Sequence, residues 1–347
     1  MLWSKLSARD ATAVVKAILN NNFMKKGYWI GGTSALVGGA LALKLLLRPR
    51  DVEWGEHREH LRHAEKSRFV EIEGVRVHYQ EAGSPAAPPV LLIHGFCASN
   101  FVWSETLEPL AEAGFRVIAP DLIGFGFSGK PKGVEYTIEM QARMIVGLMD
   151  ALGIERATLV GSSYGGAISA VCALDYSERV RRLVLVGAVS NDEIVRRPLL
   201  RLAATPALGE LLAPVLLDAR RFVKNHLRQT YAAQNGYLLD NARITAHQRP
   251  LRAADTHRAI LRTLRSWRAT RIEREAERIT QPTLLVWGAH DRDVPLRYGK
   301  RLHELIKGSR LFVFPHCGHL PQEERPQEFA SLVAEFCRDE ETTTAVA

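Results

Sequence analysis

The sequence predicts an α/β fold, in which a doubly wound, mostly parallel sheet carries a helical cap and follows an N-terminal transmembrane helix. Short apolar runs alternate with helical patterns from residue 69 to residue 338, which is typical of a sheet with helices on both faces. The alternation is interrupted once, over 191–280, where no run resembles a strand. Ahead of both, the twenty residues 28–47 carry a single charge.

The apolar stretch 28–47 follows an N-terminal segment, 1–27, and precedes a charged linker, 48–68. A helix of twenty residues is about 30 Å long, which is the thickness of the hydrocarbon layer of a bilayer. Tyr28 and Trp29 stand where aromatic residues anchor a helix at the membrane interface. We therefore expect a single-pass, uncleaved anchor and a membrane localisation.

Two alternatives stay open for this stretch. It could be a signal peptide cleaved near Ala40, with secretion of the mature chain, or a buried core helix.

The remaining chain divides into a core at 69–190 and 281–338, a helical cap at 191–280 and a tail at 339–347. A β-hairpin is predicted around Gly74, where two alternating runs meet. Six further apolar runs predict strands buried on both faces: 89–95, 116–122, 157–162, 182–188, 283–289 and 310–316. Helical patterns fill the intervals of the core: 101–113, 137–152, 164–177, 296–306 and 326–338.

Composition limits the classes of function. The chain is 46% hydrophobic and 24% charged, as in a globular protein with a sizeable core. Its four cysteines are far apart and form no CxxC pair, so neither a disulfide framework nor a zinc site is predicted.

The positive charge belongs to the cap. The interval 191–280 holds 17 basic and 9 acidic residues, and this excess of eight equals the net charge of the whole chain. A basic amphipathic cap could face anionic lipid headgroups, or it could be a solvated helical surface. No nucleic-acid motif accompanies the charge, so no nucleic-acid partner is predicted.

The stretch LVGSSYGG, residues 159–166, places Ser163 in the nucleophile position of a G-x-S-x-G pattern. A buried strand precedes it and an apolar helix follows, which is the context of a strained strand-to-helix turn. A hydroxyl needs a base, an acid that orients this base, and donors for the oxyanion. The neighbouring Ser162 is interpreted as a packing residue at the strand end.

With this turn the chain resembles the α/β-hydrolase superfamily over residues 69–338, in particular its serine branch with a helical cap. Esterases, lipases and meta-cleavage product hydrolases belong to that branch. Five motifs carry the resemblance in the order of the family: LLIHGF (91–96), DLIGFGFSGKP (121–131), GSSYGG (161–166), WGAHDRDVP (287–295) and GHLPQEERP (318–326).

The resemblance implies a role for each residue of a catalytic triad. Ser163 attacks a carbonyl, His319 takes and returns the proton, and Asp291 orients the imidazole. The backbone N–H groups of Phe96 and Tyr164 are the expected oxyanion donors. Such a site uses no cofactor and no metal.

Alternatives remain at several positions. Asp293, two residues beyond Asp291, is the second candidate for the acid, and Asp192 is a third that some relatives use. His94 and Asp121 are interpreted as residues that brace loops. Cys97 is interpreted as a small apolar filler, although it could line the pocket.

The serine determines which chemistry is open. Epoxide hydrolases and haloalkane dehalogenases of this fold use an aspartate nucleophile, so the resemblance excludes them here. We expect a membrane-anchored hydrolase of acyl esters, lipid-like ones such as monoacylglycerol included, that works through an acyl-enzyme. Carbon–carbon bond hydrolysis of the meta-cleavage type is the alternative, and a non-catalytic binding module is a third. The membrane, through the anchor, and a small ester are the expected partners, while the oligomeric state stays open.

Overall fold

The computed structural model describes Gly39, residues 52–196 and residues 198–339. In this part of the chain eight strands form one sheet in the order β1-β2-β4-β3-β5-β6-β7-β8. Their bounds are β1 Ser67–Ile72, β2 Val75–Ala82, β3 Pro89–Ile93, β4 Arg116–Pro120, β5 Ala157–Ser162, β6 Val180–Val186, β7 Thr283–Gly288 and β8 Arg310–Phe314.

The sheet is mixed, with its antiparallel pairs at one edge. β1 and β2 form the predicted hairpin, and β2 also runs antiparallel to β4. Glu73 and Gly74 join the hairpin with φ angles of 48° and 74°, the positive values that a tight two-residue turn requires. All other neighbouring strands are parallel. The prediction of a mostly parallel α/β sheet is therefore confirmed.

Helices cover both faces of the sheet. Along β3, Leu91 and Ile93 face one apolar cluster and Val90 and Leu92 face the other, as the two-residue period of a strand requires. The helices of this part of the fold are α1 Trp54–Arg58, α2 Leu107–Glu112, α3 Ile138–Ala151, α4 Tyr164–Asp175, α11 Leu296–Leu305, α12 Pro321–Glu324 and α13 Pro326–Arg338.

Between β6 and β7 the described residues form helices and no strand. The helices are α5 Pro198–Ala204, α6 Leu208–Leu216, α7 Arg220–Thr230, α8 Asn241–Leu251, α9 Thr256–Arg265 and α10 Thr270–Glu275. The start of α8 is capped by Asp240, whose side chain accepts the backbone N–H of Arg243 at 2.7 Å. We call this helical layer the cap.

The expected membrane anchor requires correction. Of the stretch 28–47 only Gly39 belongs to the described residues. Among the helices that the structure describes, none has the length and apolar character needed to cross a bilayer. The described helices therefore do not bear out the transmembrane helix in the predicted fold class or the membrane localisation derived from it, and neither prediction is retained. That prediction was based on the length and hydropathy of one stretch of sequence. Membrane spans and other apolar segments share both properties, so these two properties alone do not distinguish them.

Candidate active site

Ser163 lies in a strained turn between β5 and α4. Its backbone angles are φ 55° and ψ −114°, a region that a residue with a side chain rarely adopts. Backbone hydrogen bonds hold it there: its N–H donates to the carbonyl of Val186 at 2.8 Å, and its carbonyl accepts from Val189 at 3.1 Å. The residue is half-buried and lies at the carboxyl edge of the sheet, directly after β5.

The glycines around Ser163 are required by close contact. A methyl group on Gly161 would lie 2.3 Å from the carbonyl oxygen of Gly165. One on Gly165 would lie 2.1 Å from the carbonyl oxygen of Ile93 in the neighbouring strand. Strand and helix can cross this tightly only when both positions lack a side chain. The G-x-S-x-G spacing thus follows from the geometry of the turn.

Asp291 and His319 form a buried pair at the same edge of the sheet. Asp291 follows β7 and His319 follows β8, and Nδ1 of His319 lies 2.7 Å from Oδ2 of Asp291. The other oxygen, Oδ1, accepts the N–H groups of Asp293 and Val294 at 2.9 and 2.8 Å. The carboxylate is therefore fixed from both sides and holds the imidazole in one orientation.

The turn after β6 connects this pair to Ser163. Gly187 stands between Val186 and Val189, the two residues that bond the backbone of Ser163. A methyl group on Gly187 would lie 3.0 Å from Nδ1 of His319 and 3.1 Å from Oδ2 of Asp291. The turn after β6 thus contacts the pair of Asp291 and His319 on one side and bonds the backbone of Ser163 on the other.

The other two acid candidates are engaged elsewhere. Asp293 accepts the hydroxyl of Thr230 in the cap at 2.9 Å. Asp192 accepts the backbone N–H of Ala269 at 2.6 Å and the hydroxyl of Thr270 at 2.7 Å, so it binds the start of α10. Of the three candidates, Asp291 has the hydrogen bond to His319.

The protonation of His319 depends on its surroundings. Burial lowers the pKa of His319, but the charge and hydrogen bond of Asp291 oppose this and raise the pKa above its ordinary value of 6.5. Because the folded pKa is raised, the pair contributes stability that is complete below pH 6.5 and is lost as the pH rises through the raised pKa. A general base requires a neutral imidazole, and His319 becomes neutral only at a pH above its raised pKa.

The predicted oxyanion donors border the same site. Gly95 adjoins Ser163 so closely that a methyl group there would lie 3.1 Å from the Cβ of Ser163. Within the described chain, no carbonyl accepts the N–H of Phe96 or of Tyr164. Tyr164 is the first residue of α4, where helical N–H groups have no partner of their own and favour negative charge. Both N–H groups are thus left without a backbone acceptor in the described chain.

Aromatic rings line the surroundings of these donors. The ring centroids of Phe96 and Tyr164 are 6.2 Å apart. The ring centroid of Trp267, in the cap, lies 5.5 Å from that of Phe96 and 4.8 Å from that of Tyr164. The three rings therefore form an apolar cluster that joins the cap to the core at the turn after Ser163.

His94 and Asp121 join loops beneath the site. Nε2 of His94 accepts the N–H of Leu122 at 3.0 Å. Asp121 is 2.8 Å from Nδ1 of His78 and accepts the N–H groups of Asn100 and Phe127, both at 2.8 Å. Burial raises the pKa of Asp121, but the bond to His78 and its charge bring the pKa down to about 2.

Cys97 follows Phe96 and is half-buried, with a positive φ of 58°. Burial raises the pKa of its thiol, so the group stays neutral.

Sequence reasoning missed two groups of residues near the site. Glu323 and Glu324 follow His319 and are each 2% exposed, although adjacent glutamates are typical of a surface. Trp267 lies in the cap, outside every motif. The one signal in the sequence was that both glutamates fall within the motif GHLPQEERP.

Comparison with known proteins identifies the family to which this fold belongs. The model of the alpha/beta hydrolase fold family matches residues 88–326. A 2-hydroxy-6-oxo-2,4-heptadienoate hydrolase of Pseudomonas putida is 32% identical over 286 residues, which cover 80% of this chain and 98% of the relative.

Two solved structures show the same fold. A meta-cleavage product hydrolase from Pseudomonas fluorescens IP01 is similar with a TM-score of 0.65 and 30% identity, over 79% of this chain and 98% of that one. A bacterial membrane phospholipase A is similar with a TM-score of 0.68 and 25% identity, over 88% of this chain and 96% of that one. The family match covers more than half of the chain, and several relatives, the Pseudomonas putida enzyme among them, are named as hydrolases. The protein is therefore a hydrolase that belongs to the α/β hydrolase family.

Proposed function

We propose that this hydrolase uses Ser163 as a nucleophile to cleave carboxylic esters through an acyl-enzyme. The observation that carries the proposal is the buried bond of 2.7 Å between His319 and Asp291, at the edge of the sheet where Ser163 is held in a strained turn. A hydroxyl nucleophile requires a base held in a fixed orientation, and the imidazole of His319 is held in this way by Asp291.

The reaction proceeds in two halves. Nε2 of His319 takes the proton of the Ser163 hydroxyl while Oγ bonds to the ester carbonyl carbon, and the carbonyl electrons move to its oxygen. That oxyanion accepts the N–H groups of Phe96 and Tyr164. When the intermediate collapses, the C–O bond to the alcohol breaks and His319 protonates the leaving oxygen. Water then repeats the sequence on the acyl-enzyme and releases the acid.

The aromatic cluster favours an apolar acyl group. Phe96 is the half-buried ring of the cluster and packs on the buried rings of Tyr164 and Trp267, and each methylene that covers its ring contributes about 0.8 kcal/mol. Lipophilic esters such as monoacylglycerols fit this chemistry. The similarity to a phospholipase A supports the same substrate class.

Carbon–carbon bond hydrolysis is the second candidate. It is supported by relatives named for that reaction, among them a 2-hydroxy-6-oxo-6-phenylhexa-2,4-dienoate hydrolase of Comamonas testosteroni with 33% identity over 278 residues. There the same serine and imidazole would act on a ketone, and the leaving group would be a carbon stabilised by the dienoate.

The two candidates are separated by substrate. The full chain is assayed against p-nitrophenyl esters of increasing acyl length and against a 2-hydroxy-6-oxo-dienoate, with Ser163→Ala as the test variant and Ser162→Ala as its control. We expect ester turnover that rises with acyl length, is lost in Ser163→Ala and is retained in Ser162→Ala. Faster cleavage of the dienoate than of every ester supports the second candidate. No turnover of either substrate by folded protein contradicts both and favours a binding module.

A further inference from the structure

Two buried glutamates directly follow the loop that carries His319. Glu323 and Glu324 end α12, and both are 2% exposed. A buried carboxylate is costly unless hydrogen bonds replace its hydration. The hydrogen-bond partners of each glutamate therefore show which segments of the chain it joins.

Glu324 bonds the catalytic loop and the cap at the same time. Its Oε1 accepts the backbone N–H of Gly318, the residue before His319, at 2.8 Å. Its Oε2 accepts the backbone N–H of Ala232 at 2.9 Å and the side-chain amide of Asn235 at 2.6 Å. Asn235 also donates to the carbonyl of His316 at 2.8 Å, so it contacts the same loop a second time.

The backbones of cap and loop touch at this point. The N–H of His319 donates to the carbonyl of Thr230, the last residue of α7, at 2.8 Å. A methyl group on Gly318 would lie 2.2 Å from that carbonyl oxygen, so the contact requires a glycine. The last residue of α7 therefore holds the backbone of His319 through a direct hydrogen bond.

Glu323 differs from Glu324 in its partners. It accepts the hydroxyl of Tyr231 at 2.7 Å, and it contacts His247 at 3.0 Å and Arg243 at 3.2 Å. All three belong to the cap. Glu323 thus secures the cap, while Glu324 is the glutamate that joins the cap to the loop of His319.

We propose that Glu324, with Asn235 as its partner from the cap, is a positioning residue that fixes His319 for proton transfer to and from Ser163. The inference rests on the proposed serine mechanism. Proton transfer requires heavy atoms within hydrogen-bond distance, and an error of about 1 Å in placement can cost about 100-fold in rate. Glu324 controls that distance through the backbone of Gly318.

The charge of Glu324 adds a second effect. His319 is faced by Asp291 and Asp293 after β7, by Glu324 of α12 and by His226 of α7. The three carboxylates favour the imidazolium of His319, and Glu324 is one of the groups that raise its pKa. Removal of this charge therefore makes the neutral base available at lower pH.

The test measures how well His319 acts as a base towards Ser163, and it does not require the natural substrate. A fluorophosphonate reacts with an activated serine hydroxyl, so its second-order rate of labelling Ser163, taken across pH in the full chain, reports on His319. The test variant is Glu324→Gln. The control is Glu328→Gln, which removes the same charge from an exposed position four residues further on.

For Glu324→Gln we expect labelling slowed by about 10-fold to 100-fold, and a midpoint of the pH profile lower than in the parent. The parent's own midpoint is expected above pH 6.5. Glu328→Gln is expected to match the parent in rate and midpoint. A second variant, Asn235→Ala, removes the cap partner but keeps the charge, so slower labelling with an unchanged midpoint is expected.

The outcomes separate this inference from the proposed function. If the parent is not labelled at Ser163, the serine mechanism itself fails. If the parent is labelled and folded Glu324→Gln reacts at the parental rate with the parental midpoint, the positioning role is overturned, even where its melting temperature has fallen. Should Glu324→Gln not fold, Asn235→Ala decides: slower labelling supports the role, and the parental rate overturns it.

Discussion

Single residues decide whether the site can work, and Asp291 is the clearest example. Both of its oxygens are engaged, one by His319 and one by the backbone of its own loop. An aspartate of this kind selects the tautomer of the histidine and stabilises its protonated form during the reaction. The neighbouring Asp293 has the same side chain but bonds a threonine of the cap.

The two aspartates give a matched pair of variants. We expect Asp291→Asn to lower kcat about 10⁴-fold, because the amide stabilises the wrong tautomer of His319. Asp293→Asn is expected to lower kcat by less than about 10-fold, because it leaves the bond between Asp291 and His319 in place. Steady-state kinetics with one ester, on variants whose circular dichroism matches the parent, checks both values. A larger loss in Asp293→Asn than in Asp291→Asn would reassign the acid.

At the scale of elements, the cap is held to the core by aromatic packing as well as by carboxylates. Trp267 lies between α9 and α10, is 4% exposed and contacts the rings of Phe96 and Tyr164. Its indole N–H is buried and has no hydrogen-bond partner in the described part of the chain. The ring, rather than the N–H group, is therefore what stabilises this contact.

Variants at this position separate ring from N–H. Trp267→Ala is expected to lower the free energy of unfolding by about 3–5 kcal/mol, because it leaves a cavity between cap and core. Trp267→Phe keeps a ring and loses an N–H without a partner, so we expect a smaller loss, of about 1 kcal/mol. Urea unfolding followed by tryptophan fluorescence and circular dichroism measures both. An equal loss in the two variants would contradict a stabilisation that comes from the ring.

At the scale of the whole molecule, the sequence predicted the mostly parallel sheet and the strands after which the three candidate residues lie. Strands buried on both faces are readable as apolar runs, and parallel strands place their carboxyl ends, with Ser163, Asp291 and His319, at one edge. The contacts of Glu324 and Trp267 could not be predicted, because they depend on how the cap packs on the core. The prediction of a membrane anchor is not borne out by the described helices, and one apolar stretch of sequence does not by itself define a membrane span.

The proposed acyl-enzyme is detectable by mass spectrometry of the protein during ester turnover. The full chain is mixed with an ester of long acyl chain, quenched in acid within the first turnovers and digested. We expect a peptide with one added acyl group on Ser163, absent when Ser163→Ala is treated in the same way. Two results would contradict an acyl-enzyme on Ser163. One is ester turnover at full rate with no acyl group on Ser163, and the other is ester turnover retained in Ser163→Ala.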